Sequence, residues 1–178
     1  MTISFMPLPF GARDLRVYPL SGETVGAGVD FPNQRTLSFT ENESFQDLRG
    51  DDGLVAVHGD GPEVTWELEQ GGLSLEAVKV MFGGSIVETG TSPNGIKTFH
   101  KLRTDVRPYF RIEGQAISDS GGDLHIIIYR ARATGDLTGK MADSTFWMTG
   151  IKGRGLARAS DFALYDFIQN ETATAITG

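Results

Sequence analysis

The chain contains no cysteine, so it can form neither a disulfide framework nor a thiolate metal site, and it has no thiol nucleophile. Histidine is scarce: His58, His100 and His125 lie far apart in sequence, with no HExxH or GxSxG pattern around them, and read as surface or hydrogen-bonded side chains. Long apolar runs are missing, and Met1 to Phe10 lacks the charged start and apolar stretch of a signal peptide. The expectation is a soluble protein made inside a cell, without membrane insertion. A basic footprint is missing as well. A net charge of -7 argues against tight, sequence-reading contact with nucleic acid, which requires cations to neutralise phosphates.

What is present begins with length. At 178 residues and 39% hydrophobic content, residues 1–178 can bury one substantial core, and a single domain is expected. Charge is unevenly placed. From Glu41 to Glu69 there are nine acids and one base, Arg49, a net of -8. From Lys97 to Arg158 there are eleven bases and six acids, a net of +5. An acidic front and a basic back of this kind could attract one another between identical subunits stacked head to tail.

Glycine is abundant, with 23 residues, and glycine-rich turns punctuate short segments of period-two character. The pattern predicts a mainly β protein. In Glu63 to Glu69, Val64, Trp66 and Leu68 alternate with Glu63, Thr65, Glu67 and Glu69, giving one apolar and one acidic face. In Arg35 to Gln46, Leu37, Phe39 and Phe45 alternate with Thr36, Ser38, Thr40, Asn42, Ser44 and Gln46. Further strands are expected over Leu15 to Leu20, Ile96 to Arg103, Tyr109 to Ile117, Leu124 to Thr134, Ser144 to Ile151 and Phe162 to Asn170. A single helix is expected over 73–82, with Ser74 as N-cap, Leu75, Val78 and Phe82 at helical spacing, and Gly83-Gly84 as the stop. Residues 21–33 and 47–61 read as long loops.

No catalytic constellation emerges. Glu67 and Glu69 share a strand face, as paired acids do in glycosidases, but their same-face neighbours are Thr65 and Glu63 rather than sugar-stacking aromatics. Gly150 to Gly155 has the glycine and lysine content of a phosphate loop without its spacing, and reads as a flexible turn. Asp119 to Asp123 has too few oxygen ligands for calcium and reads as a hairpin turn. Trp66, Phe146 and Trp147 read as core or interface aromatics, and Arg107 to Arg111 shares that reading. No cofactor and no metal site are expected.

Several stretches carry a family resemblance. Met6 to Val17 (MPLPFGARDLRV), Phe45 to Asp52 (FQDLRGDD) and Glu69 to Ala77 (EQGGLSLEA) resemble the major tail tube protein of long, flexible, non-contractile-tailed bacteriophages. Arg107 to Phe110, Tyr129 to Gly135 and Leu164 to Thr172 continue the likeness along nearly the whole chain. The resemblance implies an antiparallel β-sandwich or partial barrel with one flanking helix. It also implies homohexameric rings stacked into a virion tail tube, assembled in the host cytoplasm. An N-terminal arm at about 1–13 and the loop at about 47–61 would bridge rings. Implied partners are the chain itself, tape-measure and tail terminator proteins, and double-stranded DNA in transient, non-specific passage.

On this reading Thr36, Ser38, Thr40, Asn42, Ser44, Glu63, Thr65, Glu67 and Glu69 are candidates to line the bore, with Gln46 at the end of the same row, where carboxylates repel phosphates. Asp47, Arg49, Asp51, Asp52, Arg130, Arg132, Lys152 and Arg154 are inter-subunit candidates. Two other readings share the composition: a monomeric carbohydrate-binding β-sandwich, and a secretion-system tube component of similar fold.

Overall fold

A computed structural model describes residues 8–119 and 121–176. Among the described residues the chain is mainly β, antiparallel throughout its sheets, with a single helix. In order the elements are β1 (Asp14–Ser21), β2 (Thr24–Val25), β3 (Val29–Asp30), β4 (Gln34–Gly50), β5 (Gly53–Gly71), α1 (Leu75–Phe82), β6 (Ser85–Thr89) and β7 (Ile96–His100). There follow β8 (Phe110–Ile117), β9 (Asp123–Ala133), β10 (Thr138–Gly139), β11 (Met148–Leu156) and β12 (Tyr165–Asn170). Ten strands form one sheet in the order β2-β1-β8-β9-β11-β5-β4, with β3 on β1, β10 on β11 and β12 on β9, while β6 and β7 pair separately.

The sheet is curled, because residues distant in strand order meet in one core. Trp66 of β5 packs edge-on against Phe110 of β8, 5.6 Å between centroids, although β11 and β9 lie between those strands. At the seam, Phe39 of β4 reaches Tyr165 (4.7 Å) and Phe167 (5.4 Å) of β12, and a β-carbon on Gly114 of β8 would sit 2.8 Å from Leu37 Cδ2. The β4 margin therefore folds back to touch β12 and β8 through side chains, giving a partial barrel filled by Leu15, Val17, Val64, Leu68, Ile112, Ile128 and Ile151.

The helix closes one side of this core. The Ala77 N–H donates to the Ser74 hydroxyl (3.3 Å), the expected N-cap, and the chain leaves the helix at Gly83, whose φ of 74° suits glycine. Val78, Met81 and Phe82 are buried; each contributes about 1.5–3 kcal/mol of transfer free energy.

Two expectations are overturned. Gly150 to Gly155 is not a flexible turn but the heart of β11, paired to β5 and β9. Its glycines serve close packing: a β-carbon at Gly153 would lie under 3.0 Å from the Trp66 ring, and one at Gly155 3.1 Å from Ile128. Residues 47–61 are not a loop either. They are the outer part of the β4–β5 hairpin, turning through Asp51-Asp52 with Gly50 opposite Gly53. Strand length follows from backbone pairing alone there, so the alternation that announces a buried face is absent. The strand expected over Ser144 to Ile151 begins four residues later, at Met148. Of the expected N-terminal arm, residues 1–7 lie outside the described residues. Beyond them, Leu8 to Arg13 run beside β8, with the Phe10 N–H on Ile117 O (3.0 Å) and the Arg13 N–H on Gln115 O (2.7 Å).

Candidate assembly surface

The period-two pattern of β4 and β5 places the candidate lining residues together. Thr36 pairs across with Glu69, Ser38 with Glu67, Thr40 with Thr65 and Asn42 with Glu63, so all eight share one face, opposite buried Val64, Trp66 and Leu68. Ser44 falls in a bulge between Glu43 and Phe45 and has no cross-strand partner in register. The Thr36 hydroxyl donates to Glu69 Oε2 (3.3 Å), and that of Thr65 to Thr40 O (3.4 Å).

This face is not purely acidic. Strand β11 pairs directly with β5 and sets Lys152 opposite Glu67 and Arg154 opposite Thr65. Lys152 Nζ is 3.0 Å from Glu67 Oε1, and Arg154 Nη1 2.9 Å from Glu63 Oε1. The acidic front and basic back of the sequence therefore meet inside one chain. Both ion pairs are solvent-exposed, and each contributes about 0–1 kcal/mol.

Beyond Glu63 the hairpin loses β11 as a partner, since that pairing ends at Val64. From Asn42 to Gly50 and back the two strands pair only with each other, projecting about 30 Å at about 3.4 Å per residue. Both faces of this arm are open. Phe45 (62%), Leu48 (62%) and Val55 (66%) are exposed, as are Leu54 and Val57. Phe45 and Val57 lie on one face and Leu48 on the other, by the register. Sequence parity assigns Phe45 to the apolar side but carries no sign that the core ends before it. Asp47 pairs with Arg49 at 3.6 Å, whereas Asp51 and Asp52 occupy the tip without an ion pair among the described residues.

Arg130 and Arg132 lie on β9, where Arg132 is registered with Arg154. Both guanidinium groups stack on the Tyr109 ring, at 4.2 and 5.0 Å from its centroid, and Arg132 Nη1 donates weakly to the Tyr109 hydroxyl (3.4 Å). Neither has a carboxylate partner among the described residues, and Arg130 Nε is buried without an acceptor.

A buried polar cluster escapes sequence reading altogether. Asp123, with a fully buried side chain, accepts from Gln115 Nε2 (2.6 Å), Asn170 Nδ2 (2.8 Å), His125 Nε2 (3.0 Å) and the Thr174 N–H (2.8 Å). Thr174 O accepts from Gln115 Nε2 (2.9 Å) and His125 Nε2 (3.0 Å), so Nε2 of His125 carries the proton. The cluster ties the C-terminal segment to β8, β9 and β12. Burial by itself would raise the Asp123 carboxyl; the bonds from Gln115, Thr174, Asn170 and His125 outweigh it and hold the group below the usual carboxylate range. His58 lies in the arm and His100 ends β7, so the three histidines are not brought together. Among the described residues no three His, Asp or Glu side chains gather to hold a metal ion, and no helix is long and apolar enough to cross a membrane.

The chain matches no protein-family model and no curated protein.

Proposed function

We propose that this chain is the repeating structural subunit of a hollow protein tube, of the kind formed by the major tail tube proteins of long-tailed phages, through which double-stranded DNA passes. The observation that carries the reading is the β4–β5 arm. A two-stranded ribbon is at best marginally stable alone in water, and this one leaves Phe45, Leu48, Leu54, Val55 and Val57 exposed. Unpaired edges and uncovered apolar residues on one projecting hairpin need a partner, or they aggregate. A second copy of the same chain supplies one in every subunit of a polymer.

The polar face of β4 and β5 fits a bore. On these two strands its charged groups are the carboxylates Glu63, Glu67 and Glu69 among hydroxyl and amide groups, with Lys152 and Arg154 of β11 beside them and Arg132 of β9 next in register to Arg154. The β4–β5 part of this face offers phosphates little to hold, since Glu67 and Glu63 also neutralise Lys152 and Arg154. Assembly into hexameric rings, with tape-measure and terminator proteins at its ends and a place in the virion tail, belongs to the same proposal. A carbohydrate-binding module draws no support from the tryptophans: Trp66 is 2% exposed, and the Trp147 indole N–H donates to the Thr149 hydroxyl (2.8 Å).

Negative-stain microscopy of the purified protein at rising concentration tests the proposal. Rings or tubes of uniform diameter are expected. Dispersed particles at every concentration, ionic strength and pH would overturn it.

A further inference from the structure

We infer that the acidic tip of the arm, Asp51 and Asp52, docks on the Arg130–Tyr109–Arg132 stack of a neighbouring copy. The inference rests on the proposal that the chain polymerises and names the contact that joins one copy to the next. It comes from what the ion pairs leave over. Lys152 and Arg154 are matched within the chain by Glu67 and Glu63, and Arg49 by Asp47. Of the four cations on β9 and β11 near the root of the arm, Arg130 and Arg132 have no carboxylate among the described residues; both are stacked on the Tyr109 ring, and Arg130 Nε has no acceptor there. On the acidic side, Asp51 and Asp52 stand at the turn itself, the point of the arm that reaches farthest, without an ion pair among the described residues.

The two sets cannot meet within one molecule. Arg132 is registered with Arg154, which lies opposite Thr65 at the root of the arm. From Thr65 to Gly53 the strand runs about 40 Å away from that point at about 3.4 Å per residue. A tip and a receptor this far apart can engage two different copies at once, so the contact can repeat from copy to copy. Tyr109 adds to the fit: it holds both guanidinium planes before the partner arrives, so little side-chain entropy remains to be lost on docking.

Charge reversal tests the contact. The Asp51→Lys/Asp52→Lys chain and the Arg130→Glu/Arg132→Glu chain, each shown to fold by its circular dichroism and melting, are assembled separately and as an equimolar mixture. Sedimentation is expected to show the critical concentration of each variant alone raised by about tenfold or more, because like charges then face each other. The mixture is expected to recover assembly, since each tip finds an opposite stack on the other chain. If Arg130→Glu/Arg132→Glu fails to fold, Arg130→Gln/Arg132→Gln replaces it, with weaker assembly expected and a lost salt dependence. Polymerisation of both variants at the wild-type concentration, or a mixture no better than its components, overturns the docking while leaving polymerisation intact. Wild-type protein that never polymerises overturns both. Loss of binding to a DNA duplex in Arg130→Glu/Arg132→Glu with assembly unchanged would assign the stack to phosphates and overturn the contact.

Discussion

Trp66 lies directly over Gly153, in register across β5 and β11, so closely that a β-carbon on the glycine would come under 3.0 Å from both the indole and the Arg132 carbonyl oxygen. The largest aromatic of the core thus occupies the space that a side chain on the neighbouring strand would fill.

Gly153→Ala is therefore expected to be destabilising, by about 1–3 kcal/mol or more, because neither a buried ring nor a strand backbone can retreat. Gly95→Ala is the control: nothing lies within 4 Å of its β-carbon and its φ is not in the left-handed region. Denaturant unfolding of the two variants checks this; equal midpoints would refute the packing argument.

The Asp123 cluster predicts a specific response to acid. Because the folded carboxyl is held below the unfolded value of about 3.9, its contribution is fully present above about pH 4 and is lost as pH falls through the folded value. Asp123→Ala leaves the donors of Gln115, Asn170 and Thr174 with one acceptor fewer, and is expected to cost about 2 kcal/mol or more at neutral pH. Its stability should also fall less steeply than wild type below about pH 4. Parallel acid limbs in chemical denaturation would count against the assignment.

Shortening the arm separates folding from assembly. Replacing the residues between Glu43 and Gly61 by Asn-Gly removes a ribbon that pairs only with itself, so melting should change by about 1 kcal/mol or less while polymers disappear. Microscopy and thermal unfolding of the same sample decide it; tubes of normal length from the shortened chain would remove the arm from the assembly.

The lining is tested by Glu67→Lys with Glu69→Lys, which sets new cations beside Lys152 and leaves Glu63 as the one carboxylate among the candidate lining residues. Tubes of this variant are expected to retain duplex DNA, with retention falling as salt rises. Unchanged retention would mean that this face does not meet DNA.

Much of the architecture was legible in the residues. Ser74, the apolar spacing to Phe82 and Gly83-Gly84 mark the helix, since capping and helical periodicity are local. Alternation in Glu63 to Glu69 likewise sorts polar from apolar faces, because a strand's period of two is fixed by its backbone. The charge excess between Glu41 and Glu69 is written in the composition too.

Only the tertiary structure decided what those charges and glycines do. Pairing of β5 with β11 set Lys152 and Arg154 on Glu67 and Glu63, leaving Arg130 and Arg132 over, and no local pattern encodes which strands become neighbours. It also made Gly150 to Gly155 a strand, because the room that Trp66 demands comes from a residue 87 positions away, which sequence periodicity cannot register. The arm arose for the converse reason: beyond Val64 the two strands keep their own hydrogen bonds but lose the third strand and the core, so Phe45 and Val57 stand in the open.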